Sequence, residues 1–234
     1  MEEKGAEPRV FLIDDDPFFS SMASSLLQEL GYVVEMSASA EEFLARPPYH
    51  GVGCILLDLV LPGLSGTSLL DSLRDWPLCT PIIVLTGNGD IPATVQSLKN
   101  GALNFLTKPI EREELQRSIS EAIDLSRRIQ PFCQRLLTLT PREREVLEGI
   151  LNGLLNKQIA LRLGISEKTT KIHRGRLMEK LNVRSLPELV RLWVECRFPW
   201  PASPEPSSRW PCRYCLENRQ DHQTPAPTQP RKIP

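Results

Sequence analysis

Residues 10–16 read Val-Phe-Leu-Ile-Asp-Asp-Asp, a short apolar run that ends in three carboxylates. Strands this continuous in apolar residues are typical of a parallel sheet whose two faces are both covered by helices. Four further runs of the same kind occur at 32–34, 54–57, 82–85 and 104–106. Stretches with helical spacing follow these runs at 18–30, 40–45, 67–73, 94–98 and 111–128. The pattern predicts an α/β fold with a doubly wound, five-stranded parallel sheet.

The second half of the chain contains helical patterns and no strand pattern after residue 131. Thr140-Pro141-Arg142-Glu143 is typical of a capping box with proline at the first helical position. Further helices are predicted from Asn156, after Ser166 and after Ser185. The tight turn at 163–166 joins two of them, and the later helix is rich in Lys and Arg, which is the layout of a helix-turn-helix. We therefore predict a small all-α DNA-binding domain behind the sheet.

The distribution of charge also separates the predicted sheet module from the predicted helical module. The 234 residues have a net charge of −1, but residues 1–126 hold 8 basic and 19 acidic side chains, whereas residues 131–197 hold 13 basic and 7 acidic ones. An acidic module followed by a basic one indicates that only the second meets a polyanion such as nucleic acid. The chain has no apolar run near the roughly 18 residues of a membrane helix and no basic, apolar leader, so we expect a cytoplasmic protein without membrane contact.

Polar residues follow the predicted strands at one edge of the sheet. Asp14, Asp15 and Asp16 follow the first strand, and Asp58, Thr86 and Lys108 follow the third, fourth and fifth. Converging carboxylates repel one another unless a hard cation such as Mg²⁺ neutralises them. One carboxylate can then attack a phosphoryl group while a lysine and a hydroxyl neutralise its oxygens, and Asp58, Lys108 and Thr86 fit these roles.

Four segments of the first module resemble the receiver domain of two-component response regulators, over about residues 8–127. They are Val-Phe-Leu-Ile-Asp-Asp-Asp at 10–16, Cys-Ile-Leu-Leu-Asp-Leu-Val-Leu-Pro-Gly-Leu-Ser-Gly at 54–66, Val-Leu-Thr-Gly at 84–87 and Phe-Leu-Thr-Lys-Pro at 105–109. The resemblance implies a flavodoxin-like receiver in which Asp58 accepts phosphate from a histidine kinase.

The same resemblance assigns further residues. It implies that Asp15, Asp58 and the main-chain carbonyl of Val60 bind Mg²⁺, and that Asp14 completes the acidic pocket without binding the ion directly. Asp16 need not be a ligand. Thr86 and Phe105 occupy the positions of the switch pair, in which the hydroxyl moves onto the phosphoryl group and the ring turns inward. Lys108-Pro109 resembles the family's cis peptide.

The second module resembles a LuxR-type DNA-binding domain in its segments 139–147, 156–160 and 171–178, and the pairing with a receiver indicates the NarL/FixJ class. Helical geometry places Thr170, His173, Leu177 and Leu181 on one face of the third helix and Lys168, Lys171, Ile172 and Gly175 on the opposite one. We expect the first face to pack in the core and the second to enter a major groove. The predicted DNA contacts are Lys168, Lys171 and Ile172 on that face, with Arg174 and Arg176 beside it toward the backbone.

The combined prediction is a phosphorylation-dependent transcription regulator and not an enzyme. Its domains are a receiver at 8–127, a linker at 128–136, a LuxR-type helix-turn-helix at 137–197 and a Pro-rich, disordered tail at 198–234, where nine prolines lie in 197–234. The expected partners are a sensor histidine kinase, double-stranded promoter DNA, a second copy of the chain after phosphorylation, and RNA polymerase.

Three alternative interpretations have weaker support in the sequence. Asp14-x-Asp16 after a strand also suggests an aspartyl-phosphate phosphatase, but such enzymes need Thr or Val where this chain has Phe18. A receiver that docks on proteins without phosphorylation is disfavoured by the intact Asp58, Thr86 and Lys108. Cys212 and Cys215, with His222 nearby, form a single Cys-x-x-Cys without a second pair, which is weak support for zinc.

Overall fold

A computed structural model of the protein describes residues 7–47, 49–74, 80–87, 97–98 and 100–196. Strands and helices alternate along the first part of the chain. They are β1 (Arg9–Ile13), α1 (Pro17–Glu29), β2 (Val33–Ser37), α2 (Ala40–Leu44), β3 (Gly53–Asp58), α3 (Gly66–Arg74), β4 (Ile82–Thr86) and β5 (Asn104–Thr107). The helices that follow are α4 (Arg112–Leu137), α5 (Pro141–Leu151), α6 (Asn156–Leu163), α7 (Glu167–Leu181) and α8 (Leu186–Glu195). Of the predicted helix at 94–98, residues 94–96 lie outside the described part, and residues 97 and 98 are helical.

The strands form one parallel sheet in the order β2-β1-β3-β4-β5. The chain runs outward from β1 to β2 and then returns to place β3, β4 and β5 on the other side, so the strand order reverses between β1 and β3. Ligands of open α/β sheets bind at the carboxyl ends of the strands beside such a reversal. The predicted doubly wound parallel sheet is confirmed.

Both faces of the sheet are buried, as the continuous apolar strands predicted. Neighbouring residues of β1 point to opposite faces, and Val10 and Leu12 pack in one hydrophobic cluster with residues of α1 and α4, whereas Phe11 and Ile13 pack in another with residues of α2 and α3. β3 and β4 divide their residues in the same way. Every residue of β3 and β4 is buried. The sheet is therefore a rigid platform for the polar groups at its carboxyl edge.

The helix α4 belongs to two cores. Its first half packs against the sheet through Leu115, Ile119, Ala122 and Ile123, and its second half enters the C-terminal core through Ile129, Phe132, Cys133 and Leu136. The sequence predicted that this helix would end near Arg128, but it continues through Pro131 to Leu137. Proline has no N–H to donate, and the burial of Phe132, Cys133 and Leu136 offsets the hydrogen bond that Pro131 removes.

The helix starts of the C-terminal domain were well predicted. Thr140 and Glu143 form the reciprocal capping box, and the Ser166 hydroxyl accepts the amide of Thr169 at 3.0 Å. Ser185 likewise accepts the amide of Glu188 at 3.3 Å, but the Glu188 carboxylate accepts the amide of Arg184 at 2.8 Å instead of returning to Ser185. The second predicted capping box is therefore only half formed.

The predicted domain boundaries are not tested by these element bounds and stay a prediction, although residues 128–136 lie wholly within α4. The expected tail at 198–234 and the Cys212 and Cys215 pair lie outside the described residues. Among the helices of the described part, none combines the length and the apolar character needed to cross a bilayer.

Candidate functional site

The carboxyl edge of the sheet gathers the polar residues that the sequence singled out. Asp14 directly follows β1, Asp58 is the last residue of β3, Thr86 is the last of β4, and Lys108 follows β5. The register of the sheet places these strand ends side by side, since Ile13 pairs with Leu57 and Asp58 pairs with Leu85. The structure therefore brings these four side chains to one edge, and Asp14, Asp58 and Thr86 are buried.

The ammonium of Lys108 joins two of the carboxylates. Its Nζ lies 2.5 Å from Oδ2 of Asp14 and 2.5 Å from Oδ2 of Asp58. Burial alone would lower the pKa of Lys108, but the hydrogen bonds to the two carboxylates outweigh it and raise the pKa above its ordinary value. Lys108 therefore stays positively charged and supplies one fixed cation next to Asp58. The Lys108–Pro109 peptide is cis, as the resemblance implied.

Asp14, Asp15 and Asp58 together offer ligand atoms for a metal ion. One carboxylate oxygen from each lies within 4.8 Å of the other two, with Asp14 and Asp58 buried and Asp15 exposed. Burial is the main reason why the pKa of Asp14 is raised. Three carboxylate oxygens in such a space form a hard, anionic donor set, which fits Mg²⁺ better than a softer ion.

The loop after Asp58 is held tightly against the end of β3. The amide of Val60 donates to Oδ1 of Asp58 at 2.8 Å, and the amide of Gly66 donates to the carbonyl of Leu59 at 3.1 Å. A Cβ at Gly66 would lie 2.0 Å from the carbonyl oxygen of Asp58, so only glycine fits there. The carboxylate of Glu41 in α2 accepts the amide of Leu64 at 2.9 Å. These bonds leave Oδ2 of Asp58 facing Lys108 and fix the backbone around Val60.

Thr86 and Phe105 occupy neighbouring strands and differ in exposure. Thr86 is 4% exposed at the end of β4, and Phe105 in β5 is 40% exposed. In the sheet register, Thr86 pairs with Thr107, two residues beyond Phe105. The ring therefore lies partly in solvent, and the roles of the two residues as a switch pair stay a prediction.

Two residues near the site were missed at the sequence level. Asp16 is the N-cap of α1 and accepts the amides of Phe18 at 2.9 Å and Phe19 at 3.3 Å. The Asp-Pro step at 16–17 is a recognisable helix start, so this role could have been found. Phe19 then lies with its ring 4.4 Å from Nζ of Lys108, and nothing in the sequence indicates this contact because it joins α1 to the end of β5.

The second candidate site is the outer face of α7. Thr170, Leu177 and Leu181 are fully buried on its inner face, as predicted, and His173 is half-buried. The buried hydroxyl of Thr170 is not left unpaired, because it donates to the carbonyl of Ser166 at 3.2 Å. The turn before α7 contains Gly164 in the left-handed conformation, with φ 63°. Together α6 and α7 form the predicted helix-turn-helix.

The side chains predicted to contact DNA differ in their exposure and in their contacts with neighbouring residues. Lys168, Lys171 and Arg176 are exposed, and Ile172 is 46% exposed, which is unusual for isoleucine on a basic helix. Nζ of Lys171 lies 3.1 Å from Oε1 of Glu167, an exposed pair that stabilises the helix weakly and can be replaced by DNA. Arg174 is half-buried and donates to Oδ1 of Asn156 in α6 at 3.3 Å. Four of the five side chains are therefore accessible, and the fifth is attached to the neighbouring helix.

An ion pair between the exposed Lys180 and the buried Glu143 fixes α7 from its other end. Nζ of Lys180 lies 2.7 Å from Oε2 of Glu143, whose side chain is 4% exposed, and the same oxygen accepts the amide of Thr140 at 2.8 Å. Burial alone would raise the pKa of Glu143, but hydrogen bonds from Lys180 and Thr140 outweigh it and hold the pKa below its ordinary value. One carboxylate therefore ties the start of α5 to the last turn of α7.

Known protein families match both modules. Residues 10–120 match the model of the response regulator receiver domain, and residues 137–193 match that of the bacterial regulatory proteins of the luxR family. Among relatives, the response regulator protein TodT of Pseudomonas putida is 38% identical over 190 residues, which cover 78% of this chain and 84% of TodT. The transcriptional regulatory protein FixJ of Bradyrhizobium diazoefficiens is 37% identical over 82% of this chain and 96% of FixJ.

Two further similarities agree with these. The tetrathionate response regulatory protein TtrR of Salmonella typhimurium is 36% identical over 84% of this chain and 94% of TtrR. The solved structure of the response regulator StyR superposes with a TM-score of 0.50 at 41% identity, covering 81% of this chain and all of StyR. Both cover sheet and helical domain in one alignment.

The chain belongs to the NarL/FixJ class of response regulators, in which a receiver domain is followed by a LuxR-type helix-turn-helix domain. It is a phosphorylation-dependent transcription regulator, with a histidine kinase as the upstream partner and DNA as the target. Members of this family are DNA-binding regulators and not enzymes, which removes the phosphatase alternative. Receiver domains generally use Mg²⁺ in phosphorylation.

Proposed function

We propose that Asp58 is the residue that accepts the phosphoryl group. The observation that carries this proposal is the position of its carboxylate: Oδ1 is bound by the amide of Val60 at 2.8 Å, while Oδ2 lies 2.5 Å from Nζ of Lys108 at the reversal of strand order. Asp14 also has an amide partner, from Asp16 at 3.0 Å, and Nζ of Lys108 at 2.5 Å, so the choice of Asp58 over Asp14 is supported by the resemblance of residues 54–66 to the segment that carries the phosphoacceptor in receiver domains. In the reaction, a carboxylate oxygen of Asp58 forms a bond to phosphorus, the bond to the donor breaks, and the electron pair leaves with the donor.

The remaining residues of the site support this step through charge. Lys108 neutralises oxygens of the incoming phosphoryl group, and the hydroxyl of Thr86 donates to one of them. Asp15, Asp58 and the carbonyl of Val60 would hold Mg²⁺, with Asp14 beside them but not bound directly to the ion. The bound ion neutralises the acidic cluster and the phosphoryl oxygens. Phe105, which is partly exposed, turns inward when Thr86 moves.

Labelling with a phosphodonor tests the assignment. Purified protein is incubated with acetyl phosphate and Mg²⁺, and phosphoprotein is separated on a phosphate-affinity gel. Asp58→Asn keeps the shape of the side chain but is not a nucleophile, so labelling should be lost. Asp124→Asn, an exposed aspartate of α4 paired with Arg127, is the matched control and should label like the unsubstituted protein. Full labelling of Asp58→Asn would refute the proposal.

We propose further that Lys168, Lys171, Ile172, Arg174 and Arg176 form the DNA-contacting surface of the helix-turn-helix. Support comes from the exposed basic and apolar side chains on the outer face of α7, opposite its buried face. Ile172 suits a thymine methyl group, Lys171 suits base acceptors, and the flanking arginines suit phosphates. Selection of a bound sequence from random duplexes by the intact protein, followed by footprinting, would identify the site. A footprint unchanged when all five residues are replaced would overturn the assignment.

Phosphorylation acts, in this proposal, by pairing two copies of the chain on DNA. Linking two half-site contacts multiplies affinity without any new base contact. RNA polymerase is the further partner we propose at the promoter, on the strength of the family's role in transcription. Domain boundaries of 8–127, 128–136 and 137–197 remain part of the same proposal. Sedimentation of the intact protein with and without acetyl phosphate tests the pairing, and an unchanged monomer fraction would contradict it.

A further inference from the structure

Lys108 has a third neighbour besides its two carboxylates. An ammonium carries three N–H donors. Within the described residues its hydrogen bonds go to Oδ2 of Asp14 and Oδ2 of Asp58, both at 2.5 Å. The centroid of the Phe19 ring lies 4.4 Å from the same Nζ, well inside the distance at which a cation is attracted to a ring face. The ammonium is therefore held by two anions and one aromatic face.

The ring itself is fixed in position. Phe19 is 7% exposed and packs in the hydrophobic cluster of the sheet with Leu85 and Leu106, which lie in β4 and β5. Its backbone is fixed as well, because the Asp16 carboxylate accepts its amide at 3.3 Å. The amide of Asp16 in turn donates to Oδ1 of Asp14 at 3.0 Å, so one short segment connects the acidic cluster to the ring. Because the ring is fixed, it can limit the positions that the flexible side chain of Lys108 adopts.

An aromatic face differs from an oxygen ligand in a way that matters here. It attracts the ammonium through its quadrupole and offers no lone pair, so it holds the charge without competing with a phosphoryl oxygen for a strong hydrogen bond. When the carboxylate of Asp58 becomes an acyl phosphate, Lys108 exchanges one of its two carboxylate partners for oxygens of the phosphoryl group. The ring is unaffected by that change and keeps Nζ beside the site.

We propose that Phe19 is a positioning residue for phosphorylation, which acts by holding the ammonium of Lys108 next to Asp58. The proposal rests on the proposed role of Asp58. In the step it assists, an oxygen of Asp58 bonds to the phosphorus of acetyl phosphate, the bond from phosphorus to the acetate oxygen breaks, and acetate leaves with the electron pair. The aromatic face at Phe19 raises the rate of this step because Lys108 is already where the phosphoryl oxygens arrive.

The test compares three variants of the full-length protein. Phe19→Leu keeps an apolar side chain but removes the ring face, Phe19→Tyr keeps the ring, and Phe11→Leu removes an equally buried ring on the opposite face of the sheet, where it packs near Arg46. The rate of phosphorylation is measured over a range of acetyl phosphate concentrations with saturating Mg²⁺. We expect Phe19→Leu to lower the maximal rate roughly three- to tenfold, the range of a partly desolvated cation–π contact, and Phe19→Tyr to restore it. Phe11→Leu should leave it unchanged.

A second measurement does not depend on phosphorylation. The Hε protons of Lys108 sit on the carbon bonded to Nζ, which lies 4.4 Å from the centroid of the Phe19 ring. In the unsubstituted protein labelled with ¹³C-lysine, we therefore expect them to resonate upfield of those of the exposed lysines. The resonance is assigned by its loss in Lys108→Arg. Phe19→Leu should return it to the exposed position, and Phe11→Leu should not.

The outcomes separate the two proposals. An unshifted Lys108 resonance in the unsubstituted protein would overturn the inference even if Phe19→Leu fails to fold. Equal rates for Phe19→Leu and the unsubstituted protein would also overturn it, and so would equal losses for Phe19→Leu and Phe11→Leu. If instead Asp58→Asn labels as well as the unsubstituted protein, the proposed function of Asp58 fails, and that failure is visible without any Phe19 variant.

Discussion

The two functional regions of this regulator are built in opposite ways. The proposed phosphorylation site takes Asp14, Asp58, Thr86 and Lys108 from the ends of four strands, and the first three of these side chains are buried. The DNA-contacting surface takes all five proposed residues from the single helix α7, and four of them are exposed. The first region depends on a fixed backbone and the second on a fixed helix axis, so the same kind of substitution should have different consequences in each.

The clearest test of this contrast is alanine in place of glycine in each region. At Gly66 the added methyl carbon would lie 2.0 Å from the carbonyl oxygen of Asp58 and 2.7 Å from Cα of Leu59, so backbone must move. We expect Gly66→Ala to destabilise the receiver by about 3 kcal/mol, the upper end of overpacking costs, and to slow phosphorylation of Asp58. Urea denaturation and acetyl phosphate labelling measure the two effects. Normal stability with normal labelling would show that the loop is softer than its contacts indicate.

The next largest effect concerns the ion pair that fixes α7. Glu143→Ala removes the carboxylate that accepts the Thr140 amide in the capping box and leaves Lys180 without its partner, so we expect a loss of about 2 kcal/mol from the helical domain. Lys180→Met keeps the cap and should cost less. Thermal melting of the two variants and of the double variant would give the coupling between the residues. Additive losses would mean that the pair contributes nothing beyond the cap.

The same pair predicts a pH dependence. The pKa of Glu143 is below its ordinary value of 4.5 in the folded state, so its contribution to stability is complete above that value and is lost as pH falls through the lower, folded pKa. The unsubstituted protein should therefore lose stability more steeply below about pH 4.5 than Glu143→Gln, whose side chain does not titrate. The melting temperatures of both proteins are compared from about pH 3 to about pH 7, in steps of roughly one pH unit. Parallel curves would contradict the prediction.

Substitutions on the outer face of α7 should affect binding and leave stability nearly unchanged. Lys171→Ala and Ile172→Ala should each cost about 1 to 3 kcal/mol on a selected duplex and little on random DNA, because we assign them to base edges. Arg176→Ala should weaken both kinds of duplex and reduce the salt slope of log affinity by about one unit. Fluorescence anisotropy over a range of salt concentrations distinguishes these patterns. Equal losses of Lys171→Ala on both duplexes would move Lys171 to the phosphate backbone.

The smallest effect completes the glycine comparison. A Cβ at Gly175 meets no heavy atom within 4 Å, and glycine is a poor helix former, so Gly175→Ala should stabilise the helical domain by up to about 1 kcal/mol. Its sign should be opposite to that of Gly66→Ala. Urea denaturation of the two variants side by side tests the contrast directly. If Gly175→Ala stabilises the protein but loses DNA affinity, the groove wall lies too close for a methyl group.

Much of the fold could be predicted because its signals are local. Apolar runs such as 54–57 lie in buried strands, and Thr140, Ser166 and Ser185 start helices as their positions in the sequence indicated. The end of α4 could not be predicted in this way. Pro131 is a local signal to stop, but the burial of Phe132 and Leu136 in a core made by distant helices overrides it.

For this protein the sequence by itself determined the order of elements, the family and the residues that could perform phosphoryl transfer and DNA binding. These rest on periodicity, helix caps and motifs, which are properties of short stretches of chain. Only the tertiary structure decided which atoms meet: the 2.5 Å contact of Lys108 with Asp58, the ring of Phe19 beside that lysine, and the clamp from Glu143 to Lys180. These contacts join residues 37 to 89 positions apart, and packing across a buried sheet or between helices brings such residues within reach.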